Sequence, residues 1–157
     1  MQHIRYANCG DRVGVDCEIA RLHNLGFLSD EQITMIDSGM IADFFATELG
    51  YKLRTGVSHL REFKFSILDG GENYGPGLEG EQVLLQGVVD CALLEEDGIT
   101  VLDFKTDYVT EQTLPAVTER YRVQVRTYAD ALARIYEMPV KASYLYFFRL
   151  NRFVEIK

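Results

Sequence analysis

Basic residues are the first shortage. Against 24 Asp and Glu stand 16 Lys and Arg, giving a formal net charge of −8 and a pI near 4.9. A free-standing nucleic-acid binder carries a basic surplus to neutralise phosphates, so that class is excluded. Docking on anionic membranes is excluded on the same ground. Cysteine is also scarce. Cys9, Cys17 and Cys91 are an odd set without C-x-x-C spacing, which suits neither a disulfide framework nor a zinc or iron–sulfur centre. The expectation is reduced, mostly buried thiols in a cytoplasmic protein. No apolar run approaches a membrane span, and the N-terminus lacks the apolar core of a signal peptide. Internal repeats, low-complexity tracts, a P-loop and a His-rich metal motif are absent as well.

What is present fits one ordinary domain. The 157 residues are 47% hydrophobic and 25% charged, enough to bury a core without cross-links. Residues 1–58 read as helical. Ile19, Leu22 and Leu25 fall at helical spacing between Cys17 and Leu25, with Gly26 as a stop. Ser29-Asp30-Glu31-Gln32 matches a capping box. The helix it starts breaks at Ser38-Gly39, resumes through Ile41, Phe44, Phe45 and Leu49, and stops at Gly50. From residue 59 the period changes to that of strands. Leu60–Leu68 reads as a strand, and Asp69–Glu81, with five glycines and one proline, as a mobile loop. Strands Gln82–Leu94 and Ile99–Tyr108 flank Glu95-Glu96-Asp97-Gly98, a hairpin signal. A helix over Pro115–Tyr136 and a final strand-like run, Ala142–Ile156, complete the chain.

The chemistry lies in the hairpin and the helix after it. A two-residue turn at Asp97-Gly98 puts Asp90 opposite Lys105 and Ala92 opposite Asp103. A four-residue loop shifts the register by two and keeps the same face. Either way Asp90, Asp103 and Lys105 share a face, because side chains alternate along a strand. A solvated cross-strand salt bridge there would be worth under about 1 kcal/mol. The flanks, Gln86–Val89 and Ile99–Leu102, are instead those of interior strands, where charges are costly unless they bind something. A hard divalent cation is the simple occupant for paired carboxylates. On the helix, Tyr121, Gln124, Val125, Tyr128 and Leu132 share one face. Arg122, Arg126, Asp130 and Arg134 run at four-residue steps, an arrangement usual for a solvated ion-pair ladder. Arg120, Arg122 and Arg126 form the densest basic cluster and are candidate phosphate contacts.

Gly87-Val88-Val89-Asp90, Asp103-Phe104-Lys105-Thr106-Asp107 and Gln124-x-x-x-Tyr128 together resemble the core motifs of RecB-family nucleases in the PD-(D/E)XK superfamily. Arg61-Glu62-Phe63-x-Phe65-Ser66 is similar to the segment preceding the first motif, which gives Glu62 a supporting role. The Met-Gln-His-Ile opening and helical lead-in are similar to the C-terminal nuclease domain of AddA-type helicase–nuclease proteins, and the resemblance covers nearly the whole chain. It implies an α/β (α+β) fold: a restriction-endonuclease-like core, with a mixed central sheet and flanking helices, preceded by the helical lead-in. The chain would be a single nuclease domain, with residues 1–58 as lead-in and 59–157 as catalytic core.

The resemblance further implies Mg²⁺-dependent DNA hydrolysis, of an exonuclease, in bacterial double-strand-break repair and recombination, with Mn²⁺ able to substitute. Asp90, Asp103 and the backbone carbonyl of Phe104 would hold the metal. Lys105 would orient the attacking water or stabilise developing charge, and Gln124 and Tyr128 would position the phosphate or hold the groups that bind the metal in place. The partners implied are DNA, helicase domains of the same parent chain that alone use ATP, and an AddB-like subunit. Relatives that carry an iron–sulfur cluster use four cysteines, so that variant is excluded here. A G-T-x-x-H segment normally lies upstream of the Met-Gln-His-Ile stretch, and its His contributes to the metal site. It is absent from this sequence, and His3 does not take its place, so the expectation is a piece of a longer helicase–nuclease. The alternative is a nuclease fold kept to hold DNA or a partner, inactive as an isolated fragment.

Overall fold

The computed structural model describes residues 1–73 and 75–157. Tyr74, within the expected loop 69–81, lies outside the described residues. The lead-in holds four helices: α1 (Arg12–Asn24), α2 (Asp30–Met35), α3 (Ser38–Ala46) and α4 (Glu48–Arg54). Each starts at a polar cap. Asp11 accepts from the Gly14 N–H, the Ser29–Gln32 capping box forms in both directions, and Asp37 and Thr47 cap α3 and α4. The expected break at Ser38-Gly39 falls two residues earlier, because the Asp37 carboxylate captures the amides of Gly39 and Met40. Gly50 is not a stop. It lies inside α4, where a Cβ would come within 2.1 Å of the Phe44 carbonyl oxygen, so it permits close passage of α4 over α3.

Five strands form one sheet in chain order: β1 (His59–Gly70), β2 (Gln82–Glu95), β3 (Gly98–Lys105), β4 (Val140–Phe147) and β5 (Arg152–Glu155). The β3–β4 pair is parallel, bridged by helix α5 (Leu114–Tyr136), and the other pairs are antiparallel. This is the mixed sheet with flanking helices expected of a restriction-endonuclease-like fold. The final run is two strands rather than one, since Asn151 turns the chain at φ 45° and β5 folds back on β4. The Gly-rich loop is shorter than expected. Strand pairing continues to Gly70 and Gln82, and the Gly71 amide donates to the Glu81 carbonyl at 2.9 Å.

The sheet is covered on both faces. Phe44, Phe45 and Leu53 of the lead-in pack with Cys91, Leu93, Leu102 and Tyr146 on one side. Tyr128, Ala131 and Leu132 of α5 pack with Val89, Ala92, Ile99 and Val101 on the other. Arg61 ties the first residues down. Its guanidinium lies 3.9 Å from the Tyr6 ring and donates to the carbonyls of Met1, Gln2 and Ile4. Cys9 and Cys91 are buried and Cys17 is exposed. Burial pushes the Cys9 thiol up to about 11 and Cys91 to about 12, which makes both unreactive at neutral pH.

The hairpin turn is Glu96-Asp97, not Asp97-Gly98, with Glu95 paired to Gly98 and Cys91 to Leu102. Gly98 is held in β3 because the Ile99 amide donates to the Pro139 carbonyl at 2.8 Å, and a Cβ on Gly98 would meet that same oxygen. The register is thus the four-residue-loop alternative. Continued one step, it sets Asp90 beside Asp103 and leaves Lys105 beyond the paired stretch.

Candidate active site

Asp90 occupies a break in two strands at once. Val89 and Ala92 face α5 while Cys91 and Leu93 face the lead-in, so the alternation slips by one at Asp90. Opposite it, Glu62 has φ 48°, and Glu62 and Asp90 interrupt the ladder between the pairs Arg61–Cys91 and Phe63–Val89. Matched irregularities of this kind re-aim side chains. Glu62 and Asp90 both turn into a cavity of about 480 Å³. Asp90 also reaches β3, where its Oδ2 accepts from the Phe104 amide at 2.9 Å.

Asp103 and Lys105 alternate with Phe104 on β3 and point toward α5. Both are buried, at 2% and 9% exposure. Lys105 Nζ lies 2.5 Å from Asp103 Oδ2, yet that oxygen accepts no properly directed hydrogen bond. Burial raises the Asp103 carboxyl above the usual range. Lys105 opposes the rise, and the charge of nearby Asp90 adds to it.

Helix α5 supplies the remaining wall. The Lys105 ammonium donates to Gln124 Oε1 at 3.4 Å, and Gln124 Nε2 donates to the Tyr128 hydroxyl at 2.7 Å. The Tyr128 ring packs edge-on to Phe65, 5.8 Å between centroids, and burial raises its phenol. Gly87 leaves room for that ring: a Cβ there would come within 2.9 Å of it. Tyr121 lies under Lys105, whose Nζ is 3.6 Å from the ring centroid. The Tyr121 hydroxyl donates to Asp107 at 3.0 Å. Sequence reading leaves Tyr121 and Asp107 without a role, although Tyr121 shares the Gln124–Tyr128 face and Asp107 closes the D-F-K-T-D motif.

The structure therefore joins Asp103, Lys105, Gln124 and Tyr128 in one chain of contacts, with Asp90 alongside. Glu62 meets Asp90 at the cavity. The arginine cluster does not stay together. Arg120 turns to Asp107 at 3.6 Å, while Arg122 and Arg126 donate to the Lys157 carbonyl. Among the described residues no ion pair links Arg122, Arg126, Asp130 and Arg134 into a ladder along α5; Arg122 pairs with Glu119 and Arg134 with Asp69.

Among the described residues, no group of three or more His, Cys, Asp or Glu side chains is arranged to hold a metal. The hard oxygen donors at hand are the carboxylates of Asp90 and Asp103, which the extended register sets on adjacent strands. This is a hard-oxygen set suited to a cation that keeps several waters. Asp103 Oδ2 is buried against the Lys105 ammonium, and a cation held there would share that oxygen with it.

The profile of the PD-(D/E)XK nuclease superfamily matches residues 18–154. The chain belongs to this superfamily. It is 39% identical over 150 residues to the A-subunit of the ATP-dependent helicase/nuclease from Bacillus mycoides (strain KBAB4), covering 89% of this chain and 12% of that protein. The protein of the same name from Bacillus cereus (strain Q1) is 36% identical over 167 residues, covering the whole of this chain and 14% of that protein. That from Syntrophomonas wolfei is 33% identical over 157 residues, covering 99% and 13%. The chain spans only a small part of these relatives. Among the described residues, no helix is long and apolar enough to cross a membrane.

Proposed function

We propose that this chain is the metal-dependent nuclease domain of a bacterial helicase–nuclease. It would hydrolyse DNA phosphodiesters, as an exonuclease, in double-strand-break repair and recombination. The supporting observation is the buried Asp103–Lys105 pair beside Asp90, built by the strands of a PD-(D/E)XK fold. Charge is buried there at a cost that structure alone does not repay.

Asp90, Asp103 and the Phe104 carbonyl would hold Mg²⁺, with Mn²⁺ able to substitute. When bound, the metal supplies Lewis-acid polarisation of the phosphate and lowers the pKa of coordinated water. Lys105, fixed by Asp103, Gln124 and Tyr121, offers an ammonium with directed N–H groups to the attacking water or to the charge gathering on the phosphate. Gln124 donates to Tyr128, which leaves the phenol hydrogen free to meet a phosphate oxygen. Glu62, sharing the cavity with Asp90, supports the acidic end of the site. Arg120 stands next to the site and is the arginine we assign to the DNA backbone, while Arg122 and Arg126 are held by Lys157. Helicase domains of the parent chain would use ATP and deliver DNA. An AddB-like subunit would be its partner and the cytoplasm its location.

Asp103→Ala and Lys105→Ala in the full-length protein are expected to abolish Mg²⁺-dependent DNA cleavage while the circular dichroism stays native. Cleavage at wild-type rate in either variant would refute the assignment. Calorimetric titration with Mn²⁺ is expected to show binding that Asp90→Ala removes.

A further inference from the structure

The cavity that receives Glu62 and Asp90 has a second, chemically different end. Past the C-terminal ends of β3 and β4, Tyr108 and Arg149 line it, together with Met40 and Phe148. Tyr108 is 76% exposed, although it sits three residues beyond a buried lysine. The Arg149 guanidinium lies 3.9 Å from the Tyr108 ring centroid. That contact covers one face of the ring and, with the ring so exposed, leaves the other open. Asp37, which also lines the cavity, is engaged in capping α3 and does not compete for Arg149.

We infer that Tyr108, backed by Arg149, is a stacking subsite for a nucleobase of the strand whose phosphate is handled next to Asp90, the member of the acidic site that opens into this cavity. The inference rests on the nuclease reading and extends it to how the substrate is gripped. A nucleotide has a charged end and a flat aromatic end. The cavity carries matching chemistry: the Glu62 and Asp90 carboxylates, which belong to the acidic side of the site, and an open aromatic face over a guanidinium. Arg149 holds the ring in a fixed plane and adds positive charge near the backbone, so a base would extend a stack already begun. The grip is independent of base identity, because every base presents a π-face.

The test compares KM for a single-stranded oligonucleotide and for the same oligonucleotide carrying abasic sites, using the full-length protein. Tyr108→Ala is expected to raise KM for the base-bearing strand about 5- to 150-fold, the range of one lost base stack, with kcat moving less. Tyr108→Phe keeps the ring and is expected to stay near wild type. On the abasic strand the wild type is expected to be weakened already, and Tyr108→Ala to add nothing. An unchanged KM in Tyr108→Ala, or an equal loss in Tyr108→Phe, overturns the subsite while the nuclease reading stands. A wild-type protein that cleaves neither strand overturns the nuclease reading, and the subsite with it. Because Tyr108 lies outside the core, its loss leaves the fold intact, which thermal melting of each variant checks.

Discussion

The ammonium of Lys105 lies 3.6 Å from the centre of the Tyr121 ring. These residues are sixteen apart in sequence and come from different elements, β3 and α5. The ring offers negative potential to a cation that is already paired with Asp103, and a desolvated contact of this kind contributes about 2 kcal/mol. Tyr121 is in turn anchored through its hydroxyl to Asp107. Lys105 is thereby restrained from three directions: by a carboxylate, an amide oxygen and an aromatic face.

Replacing Tyr121 separates these functions. Tyr121→Phe keeps the face and loses the tie to Asp107, so kcat is expected to fall only about threefold or less. Tyr121→Leu removes the face and is expected to cost roughly tenfold or more in kcat with little change in KM. Steady-state kinetics on a defined oligonucleotide reads both. Equal kcat in the two variants would show that the ring does not position Lys105.

Gly87 is the residue of the G-V-V-D motif that gives Tyr128 its place. A Cβ at this position would meet the Phe65 ring at 2.7 Å and the Tyr128 ring at 2.9 Å. Both rings can shift, so Gly87→Ala is expected to cost about 1–3 kcal/mol of stability. The displaced Tyr128 would lose its bond to Gln124, and cleavage is expected to drop by more than the folded fraction does. Urea unfolding and kcat measured on the same preparation check the pair of effects.

Arg120 and Arg126 share one helix but should respond differently to salt. A lost phosphate contact lowers the slope of log affinity against log salt concentration by about one. Arg120→Ala is expected to show that reduction, and Arg126→Ala, which removes the contact with the Lys157 carbonyl, is expected to keep the wild-type slope. DNA binding measured by fluorescence anisotropy across a salt series distinguishes them.

Glu18 reports on the lead-in. Its buried carboxylate accepts from Arg21, from the Arg5 amide and from Asn8. The Arg21 hydrogen bonds lead in holding its pKa down, to about 2. A folded-state value below the unfolded one means the stabilisation is complete above the ordinary carboxylate range and is lost as pH falls toward 2. Glu18→Gln is therefore expected to be destabilised by about 2–3 kcal/mol at neutral pH. The gap to wild type should close progressively below about pH 4.5, as thermal melts at a series of pH values would show.

Local signals in the sequence were sufficient for much of this. The Ser29–Gln32 capping box, the helix after Pro115 and the change of period at residue 59 are set by neighbouring residues, and all form as read. The motif residues are likewise legible, because strand alternation and helical spacing place Asp103 with Lys105 and Gln124 with Tyr128 whatever surrounds them. Where the reading failed, distant contacts had decided. Gly98 looks like a turn residue, yet the Pro139 carbonyl draws it into β3 and moves the register by two. Gly50 looks like a helix stop, yet it serves the passage of α4 over α3. The three arginines look like one patch, yet neighbours beyond the helix divide them.

The acidic composition ruled out a chain that captures DNA by surface charge, and the motifs named a superfamily. Sequence alone determined which groups are available, since chemistry and local periodicity belong to the chain. Tertiary structure decided how they meet: the paired break at Glu62 and Asp90, the Tyr121 ring under Lys105, and the cavity that Asp90 shares with Tyr108 and Arg149. Each depends on strands and helices far apart in sequence arriving at one place, where burial makes a few ångströms of placement energetically decisive.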